Sequence, residues 1–432
     1  MKRNISKALN AWAQRTNTKP LVLIGGRQVG KTWLMRSVGS NHFQETVYIN
    51  FERNPEMGSA FAANLDPHRI IAALELFTQK RIEPGRTLLI FDEIQEAPAA
   101  MTSLKYFAEE LSELHIMAAG SLLGVGKGTR DSFPVGKVEI HRVYPMDFGE
   151  FLIAVGEDRM FDSLHAADWD LVALVHERCI QWLRAYFVVG GMPEVVQLFV
   201  NRGEWSEIRE LQGQIQRAID RDFSTHCPPR ELPRLRAVWA NLPAQLAREN
   251  KKFLYGSIRK GARAKDFEGS IDWLVNYGVV HQVFRYSKIG HPLSAYTQTK
   301  HFKLYAHDIG LLGAQAGLSP STAAHGDALF QEFKGALTEQ FVLQQLAANQ
   351  IPSLGYWSND AGESEVDFLF ELDGSITALE VKAAENLRSK SLRTFHQLNP
   401  TARCLRTSLS PYRKETWLTN LPLYALGVAP MG

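Results

Sequence analysis

Eight residues near the start of the chain, GGRQVGKT from Gly25 to Thr32, fit the spacing G-x-x-x-x-G-K-[ST]. Glycines at both ends let a loop wrap closely enough for backbone N–H groups to surround phosphate oxygens. The lysine brings positive charge to the outer phosphates, and the hydroxyl can ligate Mg²⁺. Nucleotide phosphates are therefore expected at Gly25, Gly26, Arg27, Gln28, Val29, Gly30, Lys31, Thr32 and the adjoining Trp33. A second stretch, TLLIFDEIQEA, runs apolar from Leu88 to Phe91 and ends in Asp92 and Glu93. At the carboxyl end of a buried strand, Asp92 would hold Mg²⁺ and Glu93 would orient the water that attacks the γ-phosphate. The plainer reading makes the two carboxylates caps for the next helix. A third apolar run, HIMAAG, leads to Ser121, either a γ-phosphate sensor or a turn serine. Gly124, Gly126 and Gly128 follow at the wrong spacing for another phosphate loop, with Arg130 and Lys137 as candidate trans-acting positive charges.

A separate set of charged residues lies near the other end. Glu339 sits in the amphipathic stretch FKGALTEQFVLQQLA, Asp367 in EVDFLF, and Glu380 and Lys382 in LEVK. A period of two places Glu380 and Lys382 on one face of a strand. There a carboxylate can hold Mg²⁺ while an ammonium steadies an attacking water. The alternative is an ion pair on a solvated face, but flanking Leu379, Val381 and FLF make uncompensated charge costly. The order helix-Glu, strand-Asp, strand-E-x-K resembles the PD-(D/E)XK nuclease superfamily. That resemblance predicts one Mg²⁺ or Mn²⁺ site built by Glu339, Asp367 and Glu380, with Lys382 beside it.

These residues require particular elements beneath them. Leu21 to Ile24, Leu88 to Phe91 and His115 to Gly120 suit buried parallel strands. From about Glu150 to Phe223 the apolar spacing is helical, suiting a lid. NLPAQLAREN, FLYGSIRKGARA and KDFEGSIDWLVNYG read as three short helices, followed by VVHQVFRY and FKLYAH as strands, the order of a winged helix. In the third of these, Phe267, Ile271, Leu274 and Val275 share a face, leaving the other to enter a DNA groove. Lys251, Lys252, Arg259, Lys260, Arg263 and Lys265 make that approach basic around Tyr255. Asp266, Glu268 and Asp272 oppose phosphate contact, so a purely structural wing stands beside the nucleic-acid reading. An Asp-Gly turn is expected to join the strands carrying Asp367 and Glu380.

The chain has 432 residues, 45% apolar and 22% charged, which excludes disordered and fibrous classes. Its formal charge of +2 allows local basic patches but no global positive field. Cys179, Cys227 and Cys404 are too few and too far apart for a disulfide framework or a zinc knuckle, which favours a reducing cytoplasm. No apolar run approaches the roughly 20 residues of a membrane span. The N-terminus, with Ile5, Leu9 and Trp12 at helical spacing, is an amphipathic helix rather than a secretory signal.

Taken together, GGRQVGKT, IFDEIQ, AAGS, VGKVEIHRVYPMDFGEFL, YFVVGGMPEVV, KLYAHDIGLL, FKGALTEQFV and EVDFLF…LEVK resemble bacterial and archaeal AAA-type ATPases with a C-terminal domain of unknown function. The resemblance implies ATP as the nucleotide, and adenine contact from Gly191, Met192 and Pro193 of the lid. The expected fold is α/β: a P-loop NTPase core with a parallel sheet over 1–150, a helical lid over 151–228, a winged-helix unit over 229–315 and a restriction-endonuclease-like domain over 316–432. The expected activity is Mg²⁺-dependent ATP hydrolysis coupled to the nuclease-like domain. Candidate partners are ATP, DNA or RNA, and a second copy of the chain, with no membrane. The alternative is an ATP-dependent switch whose nuclease-like domain is a catalytically inactive platform.

Overall fold

The computed structural model describes residues 1–120, 134, 136–248, 252–319, 334–359, 362–383 and 389–431. The chain separates into two compact units. One comprises Lys2–Tyr144 with Asn276–Gly278, and the other Met1, Pro145–Val275 and Val279–Gly432.

In the first unit, α1 (Ser6–Ala13) precedes β1 (Leu21–Ile24), α2 (Lys31–His42), β2 (Glu45–Asn50), α3 (Glu56–Ala63) and α4 (Pro67–Thr78). Then come β3 (Thr87–Asp92), α5 (Pro98–Glu110), β4 (His115–Gly120) and β5 (Glu139–Arg142). The strands form a five-stranded sheet in the order β2-β3-β4-β1-β5, and every pairing is parallel. Such a sheet must be covered on both faces, and its strands are accordingly apolar at successive positions rather than alternating. Val22, Leu89, Phe91, Ile116 and Ala118 pack with α3, α4 and α5. Their sequence neighbours Leu21, Leu23, Leu88, Ile90, Met117 and Ala119 pack on the other side with α1 and α2, including the expected pair Leu9 and Trp12. Burying all six residues of β3 fixes the height at which Asp92 leaves the sheet.

The second unit begins with helices: α6 (Phe148–Ala154), α7 (Asp158–His165), α8 (Trp169–Leu174), α9 (His176–Val189), α10 (Pro193–Val200), α11 (Trp205–His226) and α12 (Leu232–Leu246). This agrees with the helical spacing of the sequence. After α13 (Glu268–Tyr277) come β6 (Val280–Tyr286), β7 (Thr297–Ala306), α14 (Ile309–Gln315) and α15 (Lys334–Ala348). The remainder is β8 (Gly355–Ser358), β9 (Glu365–Leu372), β10 (Ser375–Val381), α16 (Lys390–Leu398), β11 (Arg403–Ser408), β12 (Arg413–Lys414) and β13 (Thr419–Pro422). The expected Asp-Gly turn joins β9 to β10, with φ of 49° at Asp373 and 74° at Gly374.

Two expectations differ from the structure. The strands assigned to a winged helix, β6 and β7, belong to one eight-stranded sheet with the C-terminal strands, in the order β12-β13-β11-β10-β9-β8-β6-β7. The expected boundary between 315 and 316 therefore cuts through a shared sheet, held by parallel pairing of Phe284–Tyr286 with Gly355–Trp357. The segment read as the middle helix of three holds only the single 3₁₀ turns Tyr255–Ser257 and Ala264–Asp266. Gly256 and Gly261, the latter at φ 80°, interrupt it.

Candidate active site

The phosphate-loop residues lie between β1 and α2. Gln28 and Gly30 hold positive φ, 62° and 96°, a turn geometry that directs successive backbone N–H groups to one side. Gly25 is required by space, since a Cβ there would lie 2.2 Å from the Val143 carbonyl oxygen. Val29 is buried and anchors the loop, whereas Gln28 is exposed, Arg27 and Gly26 are at least partly covered, and Trp33 is 48% exposed at the start of α2. Arg3 braces the loop by donating to the carbonyls of Val29 (3.0 Å) and Tyr144 (2.7 Å). The Lys31 ammonium, buried at the head of α2, donates to the carbonyls of Gly25 (3.0 Å) and Gly26 (2.8 Å).

Although β4 lies between β1 and β3 in the sheet, the loop and the end of β3 meet through side chains. Thr32 Oγ1 donates to Asp92 Oδ2 at 2.8 Å, and Tyr48 on β2 donates to the same oxygen at 2.7 Å. Burial raises the Tyr48 phenol pKa, so it stays a donor. The Arg36 guanidinium lies 4.2 Å from the centre of its ring. Glu93 follows in the left-handed region (φ 50°, ψ 47°), a conformation that costs a non-glycine residue about 1–2 kcal/mol. Its Oε2 accepts from Gln95 Nε2 at 2.7 Å. A strained acidic residue held by a neighbouring amide beside a phosphate loop is consistent with a functional constraint. Ser121 and Arg130 lie outside the described residues. Lys137 pairs with Glu109 at 2.8 Å.

Sequence reasoning did not find Arg3, Tyr48 or Gln95. Tyr48 sits two residues before the end of a parallel strand beside β3, a position that the strand order would have flagged. Arg3 reads only as N-terminal basic charge.

Gly191, Met192 and Pro193 lie in the second unit. Met192 is fully buried and Pro193 opens α10. Gly191 N–H donates to Asp308 Oδ2 at 2.6 Å, and a Cβ at Gly191 would stand 2.0 Å from the Met146 carbonyl oxygen. Burial raises the Asp308 carboxyl pKa, an effect tempered by hydrogen bonds from Gly191, Leu311 and Gln344.

The C-terminal carboxylates do not assemble as expected. Among the described residues no group of three or more His, Cys, Asp or Glu side chains is placed to hold a metal ion. Of the residues expected to share one ion, Glu339, Asp367 and Glu380 with Lys382 beside them, each is engaged by other groups of the chain. Glu339 Oε2 accepts from Tyr305 (3.2 Å) and lies 3.9 Å from the ammonium of Lys303. That same ammonium contacts Glu365 at 2.5 Å and stands 4.9 Å from the centre of the Tyr356 ring. Asp367 Oδ2 accepts from Val381 N–H at 2.8 Å. Glu380 Oε1 pairs with Lys382 at 2.8 Å. Burial alone would lower the Lys303 pKa, but Tyr305, Glu339, Glu365 and Asp367 more than reverse this and hold it well above the usual lysine value. A fixed cation thus stands among the acidic side chains where a divalent ion was expected.

The basic approach differs too. Phe267 is buried just before α13, which itself buries Ser270, Ile271, Trp273, Leu274 and Tyr277. Its exposed positions include Glu268 and Asp272, an acidic face unsuited to a DNA groove. Arg259, Lys260, Arg263 and Lys265 are exposed on the preceding turns, while Lys251 lies outside the described residues.

Residues 17–152 match the family model described as an AAA domain. Residues 180–322 and 334–426 match two domains of unknown function, DUF8612 and DUF4143. Among solved structures, the chain is similar to the Walker-type ATPase PABY2304 of Pyrococcus abyssi, with 14% identity and a TM-score of 0.45 over 72% of this chain and 94% of that one. The RuvB Holliday junction branch migration motor of Thermotoga maritima gives 13% identity and a TM-score of 0.31 over 64% and 88%. Cdc6p from Pyrobaculum aerophilum gives 11% and 0.27 over 78% and 94%. No curated protein matches the chain. With its phosphate loop, its Thr32–Asp92 pair and its match over 17–152, the first unit is a P-loop ATPase domain of the AAA type.

Proposed function

We propose that the chain hydrolyses ATP with Mg²⁺ at the end of β1 and β3, and that its C-terminal sheet is a nuclease-like platform without nuclease chemistry. The observation supporting the first part is the 2.8 Å contact between Thr32 Oγ1 and Asp92 Oδ2. It joins two oxygen donors, one of them anionic, which suits a hard divalent cation. Bound there by Thr32 and Asp92, Mg²⁺ would neutralise phosphate charge. Lys31 exchanges its two loop carbonyls for phosphate oxygens, and the loop N–H groups hold the remaining oxygens. Glu93 accepts a hydrogen bond from the attacking water once Gln95 releases its carboxylate, and Tyr48 holds Asp92 in place. Pro193 is proposed as an adenine contact, and Ser121 as a γ-phosphate sensor, on the family resemblance alone.

The second part is supported by the buried ammonium of Lys303 among Glu339, Glu365 and Tyr305. The order of Glu339, Asp367, Glu380 and Lys382 along the elements keeps the nuclease-like pattern, but Lys303 already supplies a cation to Glu339 and Asp367, and Lys382 one to Glu380. Nucleic acid remains a candidate partner through Arg259, Lys260 and Arg263.

The test uses the full chain with Mg²⁺ or Mn²⁺, ATP and labelled single- and double-stranded DNA and RNA. ATP turnover should vanish in Lys31→Ala and persist in Asp367→Ala, with no strand cleavage by either variant or the parent. Cleavage by the parent that disappears in Asp367→Ala would reinstate the nuclease. Turnover that survives Lys31→Ala would remove the P-loop assignment.

A further inference from the structure

A cavity of about 290 Å³ opens beside the C-terminal sheet. Its lining includes Ser389, Lys390, Arg393, Arg406, Glu415 and Trp417. Three elements supply the walls. The first turn of α16 carries Lys390 and Arg393, β11 carries Arg406 at its floor, and the segment between β12 and β13 carries Glu415 and Trp417.

Arg406 is only 1% exposed. Its Nε donates to Asn420 Oδ1 at 3.0 Å and its Nη1 to Ser389 Oγ at 3.5 Å, while Nη2 stands 3.6 Å from Glu415. These contacts hold the planar guanidinium in one orientation in the cavity lining. Desolvation still lowers its pKa despite the opposing charges of Glu415 and its strand neighbour Glu380. Lys390 and Arg393 are exposed at the rim, and Arg393 lies 5.6 Å from the centre of the Trp417 ring. Among the described residues lining the cavity, Lys390, Arg393 and Arg406 stand with the carboxylate of Glu415, which is itself shared with Arg413 at 3.7 Å. The rim is also the N-terminus of the nine-residue helix α16, where Ser389 makes no side-chain cap. The first-turn N–H groups there add the positive end of the helix dipole to the rim.

We propose that this cavity binds a phosphomonoester dianion, carried either by a small nucleotide or by the 5′ end of a nucleic acid. Arginine fixed at the floor presents parallel N–H donors to phosphate oxygens, and the rim lysine and arginine add charge without demanding geometry. The volume lies near the lower end for ligand sites, enough for a phosphate with part of its sugar and too small for a long polyanion. The reading is independent of the proposal that the neighbouring carboxylates lack a metal.

Calorimetry on the full chain tests it, with every protein carrying Lys31→Ala so that the phosphate loop does not contribute. The probes are inorganic phosphate, adenosine 5′-monophosphate, a 5′-phosphorylated trinucleotide and the same trinucleotide with a 5′-hydroxyl. At least one phosphorylated probe should bind, and the added pair Lys390→Glu and Arg393→Glu should weaken it tenfold or more. These residues are exposed, so folding is not at stake. Binding of the monophosphate identifies a small nucleotide, and binding of the phosphorylated trinucleotide alone identifies a nucleic-acid end. The proposal fails if no phosphorylated probe binds, if the two trinucleotides bind equally and the small phosphates not at all, or if the double substitution leaves affinity unchanged.

Discussion

Replacing Lys303 by methionine tests whether its ammonium is the internal counter-ion of the C-terminal acidic cluster. Methionine keeps most of the apolar stem, so packing changes little, but Glu365 loses a contact of 2.5 Å and Glu339 one of 3.9 Å. Removing one partner of a buried pair costs about 3–5 kcal/mol. The Glu365 side chain is 29% exposed, so water offsets part of the loss and the lower end, about 3 kcal/mol, applies. For a unit of this size about 3 kcal/mol lowers Tm by roughly 5 °C. The pH dependence has a definite sign. The folded-state pKa of Lys303 is raised, so its contribution is fully present below the unfolded lysine value of about 10.4 and is lost only as pH rises through the still higher folded value. Parent and variant should therefore differ by the same amount at pH 6 and pH 9. Thermal melts of the full chain, with nucleotide binding measured alongside, give the readout. A shift under 2 °C, or a gap that closes between pH 6 and pH 9, would refute the counter-ion reasoning.

Glu93→Gln should bind ATP with near-parent affinity and turn it over at least tenfold more slowly, about 1.4 kcal/mol in the barrier, as read by equilibrium binding and steady-state turnover. Tyr48→Phe removes a 2.7 Å donor from Asp92. It should raise the Mg²⁺ concentration needed for half-maximal turnover about tenfold or more while leaving turnover at saturating Mg²⁺ within about threefold, because a hydrogen bond to a charged group contributes about 1.5–3 kcal/mol to placing it. Reversing Arg259, Lys260 and Arg263 to glutamate should weaken nucleic-acid binding across sequences and flatten its dependence on salt, measured by titration at several ionic strengths. An unchanged slope would make these exposed turns a solvated surface only.

The first unit was legible in the sequence because its chemistry is local. Five residues separate Gly25 from Lys31, and Asp92 ends an apolar run suited to a covered parallel strand. Once the strand order is fixed, Thr32 and Asp92 must meet. Lys303 illustrates what was not legible. It lies on β7, 62 positions before Glu365 on β9, and reaches it past the Tyr356 ring on β8. Nothing in the alternation of FKLYAH distinguishes a lysine that points to solvent from one buried among carboxylates. That depends on β6 and β7 joining the C-terminal sheet instead of forming a unit of their own.

The same long-range pairing explains why a short acidic motif is weaker evidence than a phosphate loop. A phosphate loop carries its own geometry: the positive φ of Gly30 and the space at Gly25 act within a few residues of Lys31. A carboxylate triad spread over α15, β9 and β10 has no such local constraint. The charge that neutralises it can come from any strand of the same sheet. Ammonium and divalent cation answer the same electrostatic demand, and a lysine supplied by the chain needs no free ion. Glu339, Asp367 and Glu380 can therefore retain their order along the chain while Lys303, a residue outside the motif, supplies the positive charge that faces Glu339 and Asp367.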